Sequence, residues 1–211
     1  MSSPGSTIRS LKPAPEEIRK SYDTLRTKPT RAGAAGMIYE SQVHRLLQEE
    51  RVIDLFPVCF VSVDRGENII YKDYSATDNA TIGKSFTLPG SKGFYFDKPP
   101  TSLEVGTYYH PQSTNCPTID SLLLVQPTPQ EPPILLVFQI TTSKGECEAS
   151  KIDLDMVDKL AAADTEKHLV VVTPKGVQPK ITVPRGYLTD GFLDGRNPDV
   201  AFPVYHLQID F

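Results

Sequence analysis

Two short apolar runs stand out along the chain: Ile119 to Val125 and Ile134 to Ile140. Nearly continuous apolar runs of this length, bounded by prolines, predict strands covered on both faces. Residues 126–133 between them hold four prolines and no helical period, and read as a loop. Paired as an antiparallel hairpin with Val125 opposite Ile134, the runs place Asp120 opposite Gln139. Cross-strand neighbours lie about 4.5–5.5 Å apart at Cβ, so the two polar residues that interrupt the apolar runs fall side by side. A slip of one residue would send them to opposite faces.

Helical spacing appears elsewhere. Between Met37 and Glu50, the residues Tyr39, Val43, Leu46 and Leu47 form one apolar stripe. Glu40 sits at its edge beside Leu47, and His44 follows one turn on. That pair fits an ordinary surface contact or a metal ligand beside a proton carrier. A helix preceding a sheet can direct Glu40 at Asp120. Ala14 to Thr27 predicts an earlier helix, with Pro15 in the first turn, Glu16 and Glu17 at the N-terminus, and Ile18, Tyr22 and Leu25 on one face. Lys28 to Gly36 reads as a linker with a local basic character. Ser150 to Asp164 predicts a third helix with Ser150 at its N-cap.

Phe56 to Val63 and His168 to Thr173 read as further strands. Tyr205 to Phe211 alternates and predicts an edge strand; residues 175–203 read mostly as loop. Residues 64–116 are polar and read as an insertion or a set of edge hairpins, with strand-like pieces at Ile69 to Tyr71 and Gly93 to Phe96. Ile82-Gly83-Lys84-Ser85 has the ending of a phosphate-binding loop, but Asp78 stands where the first glycine belongs, which excludes that reading. Lys84 and Lys92 with Phe94, Tyr95 and Phe96 offer cations and rings of the kind that stack on bases, although aromatics so spaced are more often strand core.

Composition narrows the class. The 211 residues suffice for one domain with a sizeable core, and the net charge of −4 gives no basic signature of a pure nucleic-acid-binding module. Nineteen prolines and no tryptophan fit a loop-rich α/β or α+β domain. Cys59, Cys116 and Cys147 are too few and too widely spaced for a disulfide framework or a zinc pattern. No apolar signal core opens the chain and no run is long enough to span a membrane. The expectation is an intracellular protein, the nucleus included, with no membrane partner.

The candidate chemistry lies on the hairpin. A carboxylate and a side-chain amide on a dry sheet satisfy each other when the amide N–H donates to the carboxylate, or their oxygens serve a hard cation such as Mg²⁺, which takes oxygen ligands and often only one or two from protein. Thr141, Thr142 and Ser143 add hydroxyls at the strand end, and Lys144 adds a cation able to stabilise charge on a phosphoryl group.

Taken in order, the helix with Glu40, a strand, the strand opening at Asp120, the strand with Gln139, a helix and a strand resemble the αβββαβ core of the PD-(D/E)XK, or restriction-endonuclease-like, superfamily. Gly36-Met-Ile-Tyr-Glu40, Gly106-Thr-Tyr-Tyr, Pro117-Thr-Ile-Asp120-Ser and Phe138-Gln-Ile-Thr-Thr-Ser-Lys144 are similar to the effector domain of Crinkler and retrotransposon-hot-spot (RHS) proteins. The resemblance spans residues 36–174. It implies an α/β fold with a mixed central sheet flanked by helices and an insertion, about 64–116, after the first core strand. Residues 1–35 would be a tail and helix, and residues 36–211 a single domain.

The resemblance also implies a magnesium-dependent (or manganese-dependent) endonuclease, a hydrolase of phosphodiester bonds, with nucleic acid as partner and DNA favoured over RNA. Glu40, Asp120 and Gln139 would hold the metal, and Lys144 would complete the catalytic set. Two departures stand out. The superfamily lysine comes two residues after the acid, where this chain has Thr141, and Gln139 replaces the second acid. The Crinkler-like pattern accommodates this Gln…Lys form. The alternative is an inactive nuclease-fold module that binds nucleic acid, a protein partner or a second copy of itself.

Overall fold

The computed structural model describes residues 15–26, 32–63, 68–73, 84–112, 119–142, 146–162, 165–178, 180–184 and 203–210. The tail 1–13, Cys116 and Lys144 lie outside the described residues, as do the side chains of Cys59 and Cys147. Contacts divide the chain into two compact units, Met1–Tyr39 with Phe211, and Glu40–Asp210.

In the first unit, α1 spans Pro15–Arg26 with Glu16 and Glu17 in its first turn, as the sequence predicts. Its ion pairs Lys20–Glu16 and Arg19–Asp23 join residues one turn apart at 3.0 and 4.0 Å and are open to solvent, so each adds only about 0.2–0.5 kcal/mol. The Tyr22 and Tyr39 rings lie 5.8 Å apart. Helix α2 spans Ala32–Leu47 and carries the chain into the second unit. It starts inside the stretch expected to be a linker. Three alanines and the absence of proline from Ala32 to Gly36 outweigh two glycines, since alanine has the highest helix propensity.

The second unit is built on a mixed sheet. Its strands are β1 (Glu50–Val63), β2 (Asn68–Asp73), β3 (Lys84–Pro89), β4 (Lys92–Phe96), β5 (Thr107–Pro111), β6 (Ser121–Val125), β7 (Ile134–Ile140), β8 (Glu146–Glu148), β9 (Glu166–Thr173), β10 (Lys180–Pro184) and β11 (Val204–Gln208). Helix α3 (Lys151–Leu160) falls between β8 and β9. The order across the sheet is β4-β5-β6-β7-β9-β11-β1-β2-β10-β8, with β3 pairing β1 off this path. The long β1 meets three partners in turn: β3 along Glu50–Leu55, β11 at Phe56 and Pro57, and β2 from Val58. The fold is thus mixed α/β, with a curled sheet and few helices.

The apolar hairpin forms in the expected register, with Val125 opposite Ile134 and Ser121 opposite Phe138. All five residues of β6 and all of β7 except Ile140 are buried. β7 and β9 pair in parallel. Leu154 and Val157 of α3 join Leu122, Val137, Leu169 and Val171 in one cluster, each fully buried. Burying a leucine or valine completely contributes about 1.5–3 kcal/mol, so the apolar stripe of α3 is what fixes it to this face.

Three expectations change. Phe56–Val63, expected as the first core strand, sits in β1 beside β11 and β2, and the place next to β6 belongs to β5. The described part of 64–116, expected as an insertion or a set of edge hairpins, adds β2 to β5 to the same sheet. Residues 204–208 form an interior strand between β9 and β1 rather than an edge. Their polar member, His206, is fully buried, and its Nε2 lies 2.8 Å from Thr173 Oγ1, which donates to the Val177 carbonyl at 2.9 Å. A polar residue so satisfied can sit inside a sheet. Finally, β10 occupies part of the expected loop, burying Ile181 and Val183 between two prolines.

No helix among the described residues is long and apolar enough to cross a membrane.

Candidate functional site

Asp120 stands immediately before β6, where the regular ladder stops. Its N–H donates to the Phe138 carbonyl at 2.9 Å, although Phe138 already faces Ser121. Two residues thus share one partner, and the chain turns at Asp120. The carboxylate reaches back to β7, where Oδ2 accepts the N–H of Ile140, one residue past Gln139. Gln139 itself is buried, and its Oε1 has no hydrogen-bond partner among the described residues. By the alternation of the pleat it shares a face with Val137 and Leu135, opposite Phe138.

Helix α2 contributes Glu40 and His44, one turn apart, and β5 contributes Tyr108 and His110 from one face of the sheet. Gly106 leads into β5 with φ +78°, a conformation that costs any other residue strain, and its N–H is held by the Leu124 carbonyl at 2.8 Å. That turn fixes the start of β5 beside β6. His44 Nδ1 lies 2.7 Å from the Tyr108 hydroxyl, and Tyr108 donates to Ser121 Oγ at 2.6 Å. With the phenolic proton on Ser121, the Tyr108 oxygen accepts from His44 Nδ1–H. His44 Nε2 is then the ring nitrogen facing Glu40 Oε1, at 3.6 Å, within ion-pairing reach but longer than a hydrogen bond. The His110 ring stacks on His44, centroids 4.1 Å apart and planes 28° from parallel.

These groups perturb one another. Burial raises the Asp120 carboxyl to about 6, against the opposing N–H of Ile140; the Glu40 charge pushes it up and His44 pulls it down. Glu40 is held below the usual carboxylate range, chiefly by the His44 ring. Burial, then the His44 charge, depresses His110. Burial pushes the Tyr108 phenol well up, so it serves as a neutral hydrogen-bonding group. Two carboxyl groups that feel each other, with one driven toward neutrality, mark a place suited to a cation or to proton exchange.

Of the four residues expected to form the site, Glu40 and Asp120 come within electrostatic reach of each other. Gln139 is next to the Ile140 amide that Asp120 holds. Lys144 lies outside the described residues. Tyr108, Ser121 and His110 were missed by the sequence reading. Their signal was the period-two placing of Tyr108 and His110 after Gly106, which puts both on one strand face. Among the described residues, no group of three or more His, Cys, Asp or Glu side chains is placed to hold a metal ion. The donor chemistry still fits Mg²⁺ or Mn²⁺. The two carboxylates are hard ligands, and magnesium commonly takes one or two carboxylates with water completing the shell; Gln139, on the α3 face with Val137 and Leu135, is not brought to the side of Tyr108 and His44.

The chain matches no protein family, no curated protein and no solved structure.

Proposed function

We propose that the unit Glu40–Asp210 is a restriction-endonuclease-like domain that hydrolyses phosphodiester bonds of nucleic acid with a divalent metal. The observation that carries this reading is Asp120, a buried carboxyl raised to about 6 at a break in the sheet, with Glu40 as its charged neighbour. Further support comes from the element order. With β1 to β4 and β8 set aside, helix α2, strands β5, β6 and β7, helix α3 and strand β9 come in the order αβββαβ, and β5, β6, β7 and β9 are consecutive across the sheet. On this mapping the extra strands β1 to β4 precede the first core strand instead of following it.

In this reading Glu40 and Asp120 hold the cation; Gln139, expected as a third ligand, alternates onto the α3 face with Val137 and Leu135, away from Tyr108 and His44. The bound metal would activate water and neutralise phosphate charge. His44 and Tyr108 hold the Glu40 end of the site, and the Ile140 N–H holds Asp120. A cation beside Asp120 favours its charged form, so loading the site draws the carboxyl back from about 6 toward the ordinary range.

The test is cleavage of plasmid DNA and single-stranded RNA with Mg²⁺ or Mn²⁺, alongside Glu40→Gln, Asp120→Ala and Lys144→Ala. Metal-dependent cutting that is abolished in each variant is the expected result. Calorimetry should show metal binding to the wild type and none to Asp120→Ala. Well-folded wild-type protein that neither cuts nor binds metal would overturn the reading and leave a nuclease-fold binding module.

A further inference from the structure

The aromatic strand that the sequence singled out divides in the structure. Lys84 leaves the group altogether: it lies on β3 and pairs with Glu166 at 2.9 Å. Phe96 is core. Phe94 and Tyr95, by contrast, are 49% and 55% exposed. Both sit on β4, the end of the sheet path among the described residues. Exposed rings on a terminal strand give up burial energy that an ordinary core strand would gain, which calls for an explanation.

Pairing supplies the geometry. β4 runs parallel to β5 with Phe94 beside Tyr109 and Tyr95 beside His110. Phe94 meets Tyr109 edge-on, with centroids 5.5 Å apart, on the face of the α3 cluster. Tyr95 therefore lies on the opposite face, the one that carries Tyr108, His110 and His44. Its ring is 5.3 Å from His110, which stacks on His44, which faces Glu40. A continuous row of rings thus leads from the exposed edge to the carboxylates. The strand is held in place for this: the Ser91 N–H donates to the Gln48 carbonyl at 2.9 Å, at the end of α2. Gly93 also lies against this helix end, where an added Cβ would stand 2.8 Å from the tip of the Gln48 side chain.

We propose that Tyr95, backed by His110, is a stacking platform for an unpaired base of a single-stranded nucleic acid whose backbone passes the Glu40–Asp120 carboxylates. This rests on the proposed nuclease reading and deepens it by naming the substrate class. Every base offers a π-face, so a ring platform binds single strands with little sequence preference. Paired and stacked bases in a duplex do not present that face. Lys98, exposed just past the end of β4, offers a cation for the phosphates beside the exposed acid Asp97, whereas Lys92 alternates onto the α3 face with Phe94.

The experiment measures fluorescence anisotropy of a labelled oligothymidylate and of a labelled duplex, at fixed salt and in EDTA, so that no cleavage occurs. The wild type, Tyr95→Ala and Tyr95→Phe are compared, with circular dichroism and sedimentation on each. Tyr95→Ala should weaken single-strand binding roughly tenfold, the loss of one stacked base. Tyr95→Phe should restore it, and duplex binding should not change. Equal binding by Tyr95→Ala, failure of phenylalanine to rescue, or no single-strand binding by wild type would each overturn the proposal. A wild-type dimer that Tyr95→Ala dissociates would overturn it too, by making β4 a contact between copies. Tyr95-dependent binding without metal-dependent cleavage would keep the platform and remove the nuclease.

Discussion

His44 Nδ1 sits 2.7 Å from the Tyr108 hydroxyl, joining helix α2 to strand β5 across 64 residues of sequence. The same hydroxyl donates to Ser121 on β6. One phenolic oxygen therefore ties together three elements around the two carboxylates.

Tyr108→Phe deletes that oxygen and leaves His44 Nδ1 and Ser121 Oγ without it in a buried place. An unsatisfied buried donor or acceptor costs about 1–3 kcal/mol. Urea unfolding monitored by circular dichroism should show a loss of that size, with an unchanged m-value. A variant as stable as wild type would mean that the hydroxyl bridges nothing of consequence.

Asp120 opposes folding at neutral pH. Its folded value, about 6, lies above the ordinary 3.8. Its stabilising contribution is therefore fully present below pH 3.8 and is lost as pH rises through about 6. Asp120→Asn keeps a carbonyl oxygen for the Ile140 N–H and removes the buried charge. At neutral pH it should gain about 2–3 kcal/mol on 1.36 kcal/mol per pKa unit, read by denaturant unfolding, while losing metal binding. Destabilisation by Asp120→Asn would contradict the burial-driven shift.

His168 acts in the opposite direction. It is fully buried on β9, with Nε2 against Glu166 Oε1 and rings of Tyr205 and Phe86 at 4.8 and 5.8 Å. Burial lowers its pKa below 6.5, although Glu166 pulls the other way. A depressed histidine stabilises above its unfolded value and loses that contribution as pH falls through the folded one. Between pH 7 and 5, His168→Leu should therefore lose less stability than wild type, and Asp120→Asn should lose more, because the gain from Asp120 is gone. Parallel unfolding curves for the three proteins across that range would show that neither group sets the acid response.

Much of this was legible beforehand where one element decides its own fate. Pro15, Glu16 and Glu17 mark the start of α1, and the run from Ile134 to Ile140 is too apolar to lie anywhere but inside a sheet. The register of the hairpin followed from the facing pair Val125 and Ile134, because an antiparallel ladder fixes every pair once one is fixed. What could not be read was the order of strands. Phe56–Val63 reads as a strand while Thr107–Pro111 is not singled out as one within 64–116, and local pattern does not record which strand pairs with which. The interior position of β11 was hidden for the same reason: an alternating run reads as half-exposed until partners cover both edges.

The sequence by itself determined the elements, the buried hairpin and the two carboxylates worth watching, because periodicity and composition act through neighbours along the chain. Only the tertiary structure decided the surroundings of those carboxylates. It placed β5 against β6, which brought Tyr108 and His110 to His44. It turned Asp120 off the ladder toward Ile140 rather than Gln139. It moved Lys84 away to Glu166 and left Tyr95 at the edge. The physical reason is that burial, hydrogen-bond partners and electrostatic fields come from residues distant in sequence, and these set what a carboxyl, an imidazole or an exposed ring can do.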